Sequence, residues 1–231
     1  WRLWRRPRQA SCCAGSMNTP ATSPDVPSPD PSLAEAPARR VIYLHGFRSS
    51  SQSFKAKLLH ARLADFGLGD RFVAPDLPPS PAAAMAAVVD DIRPAADDLL
   101  VGSSLGGCYA TWLAGRSGAR AVLLNPAVHA ARDLAAHVGE QIGYHDGLPF
   151  WFDRRYLDEL RELEAITIER PERFLLIAAK GDEVLDWREM VARFATSPQQ
   201  ILDGSDHGLS NFADLVDGVL AFGGLPGKRN G

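Results

Sequence analysis

A short stretch in the middle of the chain, residues 97–116, limits the possible folds more than any other. Leu99 to Val101 is an apolar run that predicts a buried strand, and a helical segment follows from Leu105 to about Gly115. Between them, Gly102-Ser103-Ser104-Leu105-Gly106 fits the pattern G-x-S-x-G. Strand, sharp turn and helix are the context that a nucleophile elbow needs, with Ser104 exposed at the carboxyl end of a sheet. The alternative is an ordinary Gly/Ser-rich turn that leads into a helix.

A serine hydroxyl is a weak nucleophile at neutral pH, so this interpretation depends on a base and on a group that orients the base. One arrangement places these partners after the nucleophile in the order Ser, Asp or Glu, His. Asp182 follows a predicted strand that ends at Ala178, and His207 lies in the loop before the last predicted helix. Both loops are predicted at the sheet edge that carries the elbow. Ser104, Asp182 and His207 are therefore the candidate catalytic residues.

Other acidic residues and histidines offer weaker alternatives. Asp186 could orient the histidine, but it stands at the predicted N-cap of a helix, which is a sufficient structural reason for Asp there. Glu183 and Asp206 are interpreted as solvated charges. Four histidines lie in predicted helices or in the long segment before the fifth strand, where a surface or packing role is expected: His60, His129, His137 and His145.

The loop after the first predicted strand, His45-Gly46-Phe47, places a free backbone N–H beside the elbow. Acyl transfer generates an oxyanion, which two backbone donors can bind. The candidates for this oxyanion hole are the N–H groups of Phe47 and of Leu105, the residue after the nucleophile. His45 is interpreted as structural, holding the loop through its ring nitrogens. The alternative is an ordinary turn at the end of a strand.

From Arg39 onward, short apolar runs alternate with helical segments. The predicted strands are 40–44, 71–74, 99–101, 121–124, 173–178 and 199–202, and the predicted helices are 53–66, 82–92, 105–115, 186–194 and 209–222. Near-continuous apolar strands separated by helices are typical of a parallel sheet covered on both faces. We therefore predict an α/β fold, a three-layer α/β/α sandwich with a doubly wound sheet and its site at the carboxyl ends of the strands.

The two ends of the chain differ from this pattern. Residues 1–38 are rich in Pro, Ser and Ala and have almost no periodic apolar pattern, so a disordered leader is predicted there. Met17 is a candidate true start, and the alternative is a targeting segment, since residues 1–16 carry four arginines and no acid. Residues 39–225 are predicted to form one domain, and residues 226–231 a flexible tail.

Within this domain, residues 127–170 are longer than a simple crossover and are interpreted as a cap-like insertion at the rim of the site. Three of its aromatic residues, Tyr144, Trp151 and Phe152, are candidate substrate contacts. The alternative is that these side chains pack the small core of the insertion itself.

Composition excludes several classes of function. The chain has 231 residues, of which 45% are hydrophobic, enough for one domain with a sizeable core. A net charge of −3 without a basic stripe argues against nucleic acid as a partner. No apolar run approaches the ~18 residues that span a membrane. Cys12, Cys13 and Cys108 form neither an even framework nor a C-x-x-C pair, so neither disulfides nor a zinc site is indicated, and a reducing, cytoplasmic compartment is expected. We expect no metal and no cofactor.

Six sequence blocks together resemble the α/β-hydrolase superfamily and, within it, the small bacterial esterases of the YqiA/YcfP type (UPF0227). The blocks are YLHGFRSS (43–50), PDLPPSP (75–81), VGSSLGGCYATWL (101–113), LNPAV (124–128), GDEVLDW (181–187) and DGSDHGLSNF (203–212). The resemblance covers residues 41 to about 222. It implies an α/β-hydrolase fold that lacks the first two strands, with about six mainly parallel strands in the order 2-1-3-4-5-6. It also implies Ser104 as nucleophile, His207 as base and Asp182 as the acidic member.

The expected function is that of a serine esterase, which hydrolyses short- to medium-chain acyl esters or thioesters through an acyl-enzyme. Its partner would be a small-molecule substrate. Two alternatives stay open. One is an acyltransferase that uses the same acyl-enzyme, and the other is a non-catalytic ligand-binding protein on the same fold.

Overall fold

The computed structural model describes residues 36–227, which contain a six-stranded parallel sheet between two layers of helices. The strands of this sheet are β1 (Val41–Leu44), β2 (Phe72–Val73), β3 (Leu99–Ser103), β4 (Arg120–Leu124), β7 (Phe174–Ala179) and β8 (Gln199–Leu202). A separate antiparallel hairpin consists of β5 (Gly139–Ile142) and β6 (Pro149–Phe152). The α-helices are α1 (Phe54–Asp65), α2 (Pro81–Ala87), α3 (Leu105–Ser117), α4 (Ala130–Asp133), α5 (Tyr156–Glu164), α6 (Trp187–Arg193) and α7 (Phe212–Phe222).

The order of the strands across the sheet is β2-β1-β3-β4-β7-β8, and each neighbouring pair is parallel. The predicted α/β/α fold and the predicted order 2-1-3-4-5-6 are therefore confirmed, with β7 and β8 as the fifth and sixth strands. The chain reverses its direction of winding between β1 and β3. At such a reversal the loops after neighbouring strands diverge and leave a crevice, which is where ligands bind in open parallel sheets.

Burial on both faces explains why the strands read as continuous apolar runs. In β1, Val41 and Tyr43 pack with the cluster under α1 and α7, while Ile42 and Leu44 pack with the cluster under α2 to α6. All four side chains are buried. Successive residues of a strand point to opposite faces, so a strand covered on both sides needs apolar residues at every position.

Two helix boundaries differ from the prediction. The last helix begins at Phe212 rather than Leu209, because Leu209 has a φ of 50°, outside the helical region, and its side chain is fully buried. The helix predicted to end at Ile92 is α-helical only to Ala87 and continues to Ile92 as a π-helical turn. The following residue, Arg93, ends it with a left-handed φ of 54°.

The segment between β4 and β7 contains α4, the β5–β6 hairpin and α5. No strand was predicted there, because Gly139–Ile142 shows no apolar alternation. Along β6 the side chains alternate: Phe152 is fully buried, whereas Trp151 is 63% exposed. The hairpin therefore has one face towards the body of the protein and one face towards solvent.

The predicted leader and tail fall largely on residues 1–35 and 228–231, outside the described residues, as does Met17. Residues 36–38 are described, and Ala38 is buried, with its N–H donating to the carbonyl of Gly223 at 2.8 Å. Among the helices of residues 36–227, none has both the length and the apolar character needed to cross a membrane.

Candidate active site

Ser104 lies on a sharp turn between β3 and α3, with φ 55° and ψ −119°. Few residues other than glycine adopt such a backbone, and the turn exists because two neighbours lack a side chain. A Cβ added to Gly102 would lie 2.1 Å from the carbonyl oxygen of Gly106. A Cβ added to Gly106 would lie 2.0 Å from the carbonyl oxygen of Leu44 in β1. The glycines thus allow α3 to approach the sheet closely directly after the serine.

The structure brings the three predicted side chains into one hydrogen-bonded chain. His207 Nε2 is 3.0 Å from Ser104 Oγ, and His207 Nδ1 is 2.8 Å from Asp182 Oδ2 and 3.0 Å from Asp182 Oδ1. A carboxylate only accepts hydrogen bonds, so Nδ1 carries the ring proton and Nε2 is left free to accept from the serine hydroxyl. This is the arrangement in which a histidine can remove the proton of Ser104.

Asp182 is held in place by backbone groups of its own loop. Its side chain has no exposed surface, and its Oδ1 also accepts from the N–H groups of Val184 and Leu185, both at 2.8 Å. The alternative carboxylate, Asp186, accepts from the N–H of Arg188 at 2.9 Å and caps α6. The structure therefore places Asp182, and not Asp186, against the histidine ring.

The loop after β1 passes directly beside Ser104. A Cβ added to Gly46 would lie 3.2 Å from Ser104 Cβ, so the Gly46–Phe47 peptide lies next to the serine. His45 fixes this loop: its Nε2 accepts from the N–H of Leu77 at 3.0 Å, and its Nδ1 donates to the Gly46 carbonyl at 2.9 Å. Burial lowers the pKa of His45, which favours the neutral ring that this pairing requires.

A cavity of about 680 Å³ is lined by Phe47 and Leu105, the two predicted oxyanion donors, of which Leu105 directly follows Ser104. Much of its wall is apolar and comes from four separate segments, including Leu77, Pro79, Tyr109 and Phe150. The polar part of the wall includes Arg48, Gln52, Asp76 and His145. A cavity of this volume, with both apolar and polar groups in its wall, suits a small organic ligand.

The aromatic residues predicted to contact substrate do not line this cavity among the described residues. Phe152 is buried and its ring packs on that of Phe47 at 5.1 Å. Tyr144 and Trp151 are 69% and 63% exposed. The hairpin instead contributes Phe150, whose ring also packs on Phe47, at 5.9 Å. The role of the three predicted residues in substrate binding stays a prediction.

The hairpin is attached to the loop after β1 through Arg48. Its Nε donates to the carbonyl of Ile142 at 2.7 Å, and its carbonyl accepts from the N–H of Tyr144 at 2.7 Å. Its guanidinium also lies 4.3 Å from the centre of the Tyr144 ring, a cation–π contact. Sequence reasoning missed this residue, and no local pattern could have identified it, because its partners lie about 95 residues further along the chain.

Asn125 is a second residue that sequence reasoning missed. It directly follows β4, is fully buried, and its side-chain amide donates to the backbone carbonyls of Asp206 and His207. The available signal was an Asn followed by Pro126 at the end of a strand, which by itself is typical of a turn.

Within residues 36–227, no group of three or more His, Cys, Asp or Glu side chains is placed to bind a metal ion.

Solved structures of other proteins share this fold. A metagenome-derived lipolytic enzyme from the LipS and LipT study is 21% identical, with a TM-score of 0.59, over 86% of this chain and 98% of the other. Est1E from Butyrivibrio proteoclasticus is 17% identical, with a TM-score of 0.57, over 83% and 89%. Mouse alpha/beta hydrolase domain-containing protein 10 is 15% identical, with a TM-score of 0.52, over 78% and 89%. At these identities the likeness shows the α/β-hydrolase fold.

The family comparison is more specific. The model of an uncharacterised protein family, UPF0227, matches residues 40–224, from the start of β1 to just beyond α7. The match includes every residue of the hydrogen-bonded chain and of the cavity wall described above. The resemblance predicted from the sequence is thus confirmed, and the chain belongs to the family UPF0227.

Proposed function

We propose that this protein is a serine esterase that hydrolyses short- to medium-chain acyl esters or thioesters. The observation that carries the proposal is the hydrogen-bonded chain from Asp182 through His207 to Ser104. Gly46 and Leu105, which lie directly beside Ser104, line a neighbouring cavity. A pure binding protein has no need for a buried carboxylate, a histidine of fixed tautomer and a strained serine in this order. The fold and the esterases and lipolytic enzymes that share it agree with the proposal.

In the first half-reaction, Ser104 Oγ attacks the carbonyl carbon of the substrate while its proton moves to His207 Nε2. The carbonyl oxygen becomes an oxyanion, which the N–H groups of Phe47 and Leu105 stabilise. The bond to the alcohol or thiol then breaks, and the leaving group takes the proton from His207 Nε2. Asp182 stabilises the transient imidazolium, and Ser104 is left acylated.

In the second half-reaction, water takes the place of the leaving group. His207 Nε2 accepts a proton from the water, whose oxygen attacks the acyl carbon, and the same two N–H groups bind the new oxyanion. The bond from the acyl carbon to Ser104 Oγ then breaks. The serine oxygen recovers its proton from His207, and the carboxylic acid leaves.

The cavity supports the choice of a small acyl substrate. Its walls place Leu77, Tyr109 and Phe150 around the space next to the proposed oxyanion donors. A volume of about 680 Å³ lies in the range of sites for small molecules. The β5–β6 hairpin supplies one wall, which is the role proposed for the insertion as a cap.

The experiment that tests this proposal combines turnover with covalent labelling. We expect the protein to release p-nitrophenol from p-nitrophenyl esters of graded chain length, and to be labelled at Ser104 by a fluorophosphonate, located by mass spectrometry. Ser104→Ala should lose both signals, whereas Ser103→Ala, one residue earlier, should keep them. Acyl-CoA substrates of graded length, assayed in the same way for free thiol, extend the test to thioesters.

A clear result would contradict the proposal. If Ser104→Ala turns over esters as fast as the wild-type protein, the nucleophile is wrong. If the wild-type protein is neither labelled nor active on any of these substrates, the proposal of a serine esterase fails. Product analysis with added alcohol or thiol separates hydrolysis from acyl transfer, since transfer would give a new ester or thioester.

A further inference from the structure

Asn125 is a buried polar side chain whose hydrogen bonds connect three ends of the sheet. Its Oδ1 accepts from the N–H of Ala179, at the end of β7, at 2.8 Å. Its Nδ2 donates to the carbonyls of Asp206, at 3.0 Å, and of His207, at 3.1 Å, in the loop after β8. Its own N–H donates to the carbonyl of Ile177 at 2.9 Å. The side chain thus anchors the loop that carries the proposed base.

The chemistry of its partners allows the amide only one orientation. With oxygen and nitrogen exchanged, the NH₂ group would face the N–H of Ala179, and the oxygen would face two carbonyl oxygens. In the orientation observed, every donor meets an acceptor. Because the side chain has no exposed surface, water cannot replace these hydrogen bonds without a rearrangement of the loops.

The residues on either side of Asn125 hold the backbone of Ser104. The N–H of Ser104 donates to the carbonyl of Leu124, and the carbonyl of Ser104 accepts from the N–H of Ala127, both at 3.0 Å. The end of β4 and the turn after it therefore hold two peptides. Backbone groups of this segment bind the peptide of Ser104, the proposed nucleophile, and the side chain of Asn125 binds the carbonyl of His207, the proposed base. This turn fixes the distance between the two peptides.

We propose that Asn125 is a positioning residue, which keeps His207 Nε2 within hydrogen-bond distance of Ser104 Oγ. The inference rests on the proposed function, since it assigns Asn125 a part in the same site. Asn125 acts through the backbone of His207 and touches no reacting atom. The backbone of His207 also donates a hydrogen bond from its N–H to the carboxylate of Glu183 at 3.0 Å. This hydrogen bond is exposed to solvent, where water can take its place.

Asn125→Gly separates this role from a simple backbone requirement. Asn125 has a φ of 42°, in the left-handed region that glycine adopts most easily, so glycine keeps the turn and removes only the side chain. If the side chain positions His207, kcat for a p-nitrophenyl ester should fall about 10- to 100-fold, as small displacements of reacting groups do. KM should stay within about 3-fold, because the cavity wall is unchanged. Wild-type kcat in Asn125→Gly would overturn the proposal.

Asn211→Gly is the matched control, because it removes the same type of side chain from the loop that carries His207, and Asn211 makes no hydrogen bond to His207 among those the structure gives. Its Oδ1 accepts from the hydroxyl of Ser205 at 2.6 Å. We expect kcat within about 3-fold of wild type.

Asn125→Asp is the second variant of the proposed positioning residue. It keeps the shape of the side chain and the oxygen that accepts from Ala179, but replaces the NH₂ group by an oxygen that faces the carbonyls of Asp206 and His207. Because these oxygens repel one another, kcat should fall at least as far as in Asn125→Gly. If neither Asn125 variant folds, the side chain is required by the fold, and the positioning role is overturned.

A spectroscopic readout makes the test independent of turnover. The proton that His207 Nδ1 shares with Asp182 should give a low-field ¹H NMR resonance, assigned by its loss in His207→Gln. We expect this resonance to be broadened or lost in Asn125→Gly and retained in Asn211→Gly, because only the first variant releases the loop. Its retention in a folded Asn125→Gly would overturn the proposal. If the wild-type protein hydrolyses no ester, the proposed function fails, yet the resonance still decides whether Asn125 positions His207.

Discussion

The loops at the carboxyl ends of the strands and the β5–β6 hairpin are built in different ways. In the loop after β7, Asp182 has no exposed surface and accepts from a histidine and two backbone N–H groups. The outer face and tip of the hairpin carry exposed apolar side chains, namely Ile142, Tyr144, Leu148 and Trp151. The hairpin contacts the loop after β1 through Arg48 and Phe47.

This difference suggests a division of labour. Groups that must keep a fixed geometry lie on loops that are tied to one another and to the sheet, where a displaced side chain would lose several hydrogen bonds at once. In the part of the chain that the structure describes, the exposed side chains of the hairpin make no hydrogen bond to the loops that carry Asp182 and His207, so they can vary in sequence without disturbing those loops. We therefore expect substitutions in the loops to change kcat or stability, and substitutions in the hairpin to change substrate preference.

The largest effect is expected for Asp182→Asn. The amide can no longer fix the protonated Nδ1 of His207, so kcat should fall by about 10³ to 10⁴, with KM little changed. Steady-state hydrolysis of a short p-nitrophenyl ester measures this. Asp186→Asn, four residues on, removes a carboxylate that only caps α6 and should keep kcat within about 3-fold. A greater loss of kcat in Asp186→Asn than in Asp182→Asn would show that Asp182 is the wrong carboxylate.

Alanine substitutions at two glycines, one next to Ser104 and one in the hairpin, test how tightly each region is packed. Gly106→Ala places a Cβ 2.0 Å from the Leu44 carbonyl, which belongs to rigid backbone, and should lower the free energy of unfolding by about 3 kcal/mol or more. A Cβ added to Gly147, at the tip of the hairpin, would meet nothing within 4 Å, but the φ of +67° at this position disfavours a side chain. Gly147→Ala should cost about 1–2 kcal/mol. Urea denaturation measures both, and equal losses would contradict the comparison.

Substrate preference should respond to Phe150 and not to its neighbour. Phe150 lines the cavity, so Phe150→Ala should raise KM for medium-chain esters about 10-fold and leave KM for acetate esters within about 3-fold. Trp151→Ala is the matched control, because that side chain is 63% exposed on the opposite face of β6. KM values across a chain-length series decide the matter. If Trp151→Ala changes the preference more than Phe150→Ala, the predicted contact of Trp151 with substrate is favoured.

The smallest effect concerns the free energy of unfolding and a single buried lysine near the His207 loop. Lys55 is 7% exposed, and burial lowers its pKa from 10.5 to about 8. Below pH 8 the amine is charged in both the folded and unfolded states, and the full penalty for burying it is present. Between about pH 8 and 10.5 the folded state releases the proton first, so stability rises with pH.

Lys55→Met should therefore raise the free energy of unfolding at pH 7 by about 1–2 kcal/mol, because the neutral side chain carries no penalty for burying a charge. The gain should shrink as the pH approaches 10. Urea denaturation at both pH values measures this, with Lys57→Met, an exposed lysine on the same helix, as the control. An unchanged or lower stability of Lys55→Met at pH 7 would contradict the prediction.

The sequence predicted the sheet well and the hairpin poorly, for a physical reason. Strands buried on both faces show as apolar runs, and the G-x-S-x-G turn of Ser104 has a local steric signature in its glycines. By contrast, Gly139–Ile142 contains Glu140 and Gln141 and shows no strand period. Without β6, the alternation that turns Phe150 inward and Trp151 outward could not be seen, so the aromatics of the insertion were treated as one cluster.

The parts of the site that depend on distant contacts were also beyond the sequence. Asp182 and His207 could be named, because each follows a recognisable strand. Asn125 could not, since its meaning depends on Ala179 and on the loop of His207, which lie 54 and 82 residues further along the chain. A local pattern reports how a residue turns its own backbone, but not which distant peptide its side chain will hold.

The backbone conformation of Ser104 also bears on how selection has acted on this position. Its φ of 55° and ψ of −119° are adopted easily by glycine and only under strain by serine, at a penalty of about 1–3 kcal/mol. Selection for stability alone would favour glycine at this position. A serine there makes the molecule less stable than its sequence could be, which is the trade-off expected where selection acts on activity at the expense of stability.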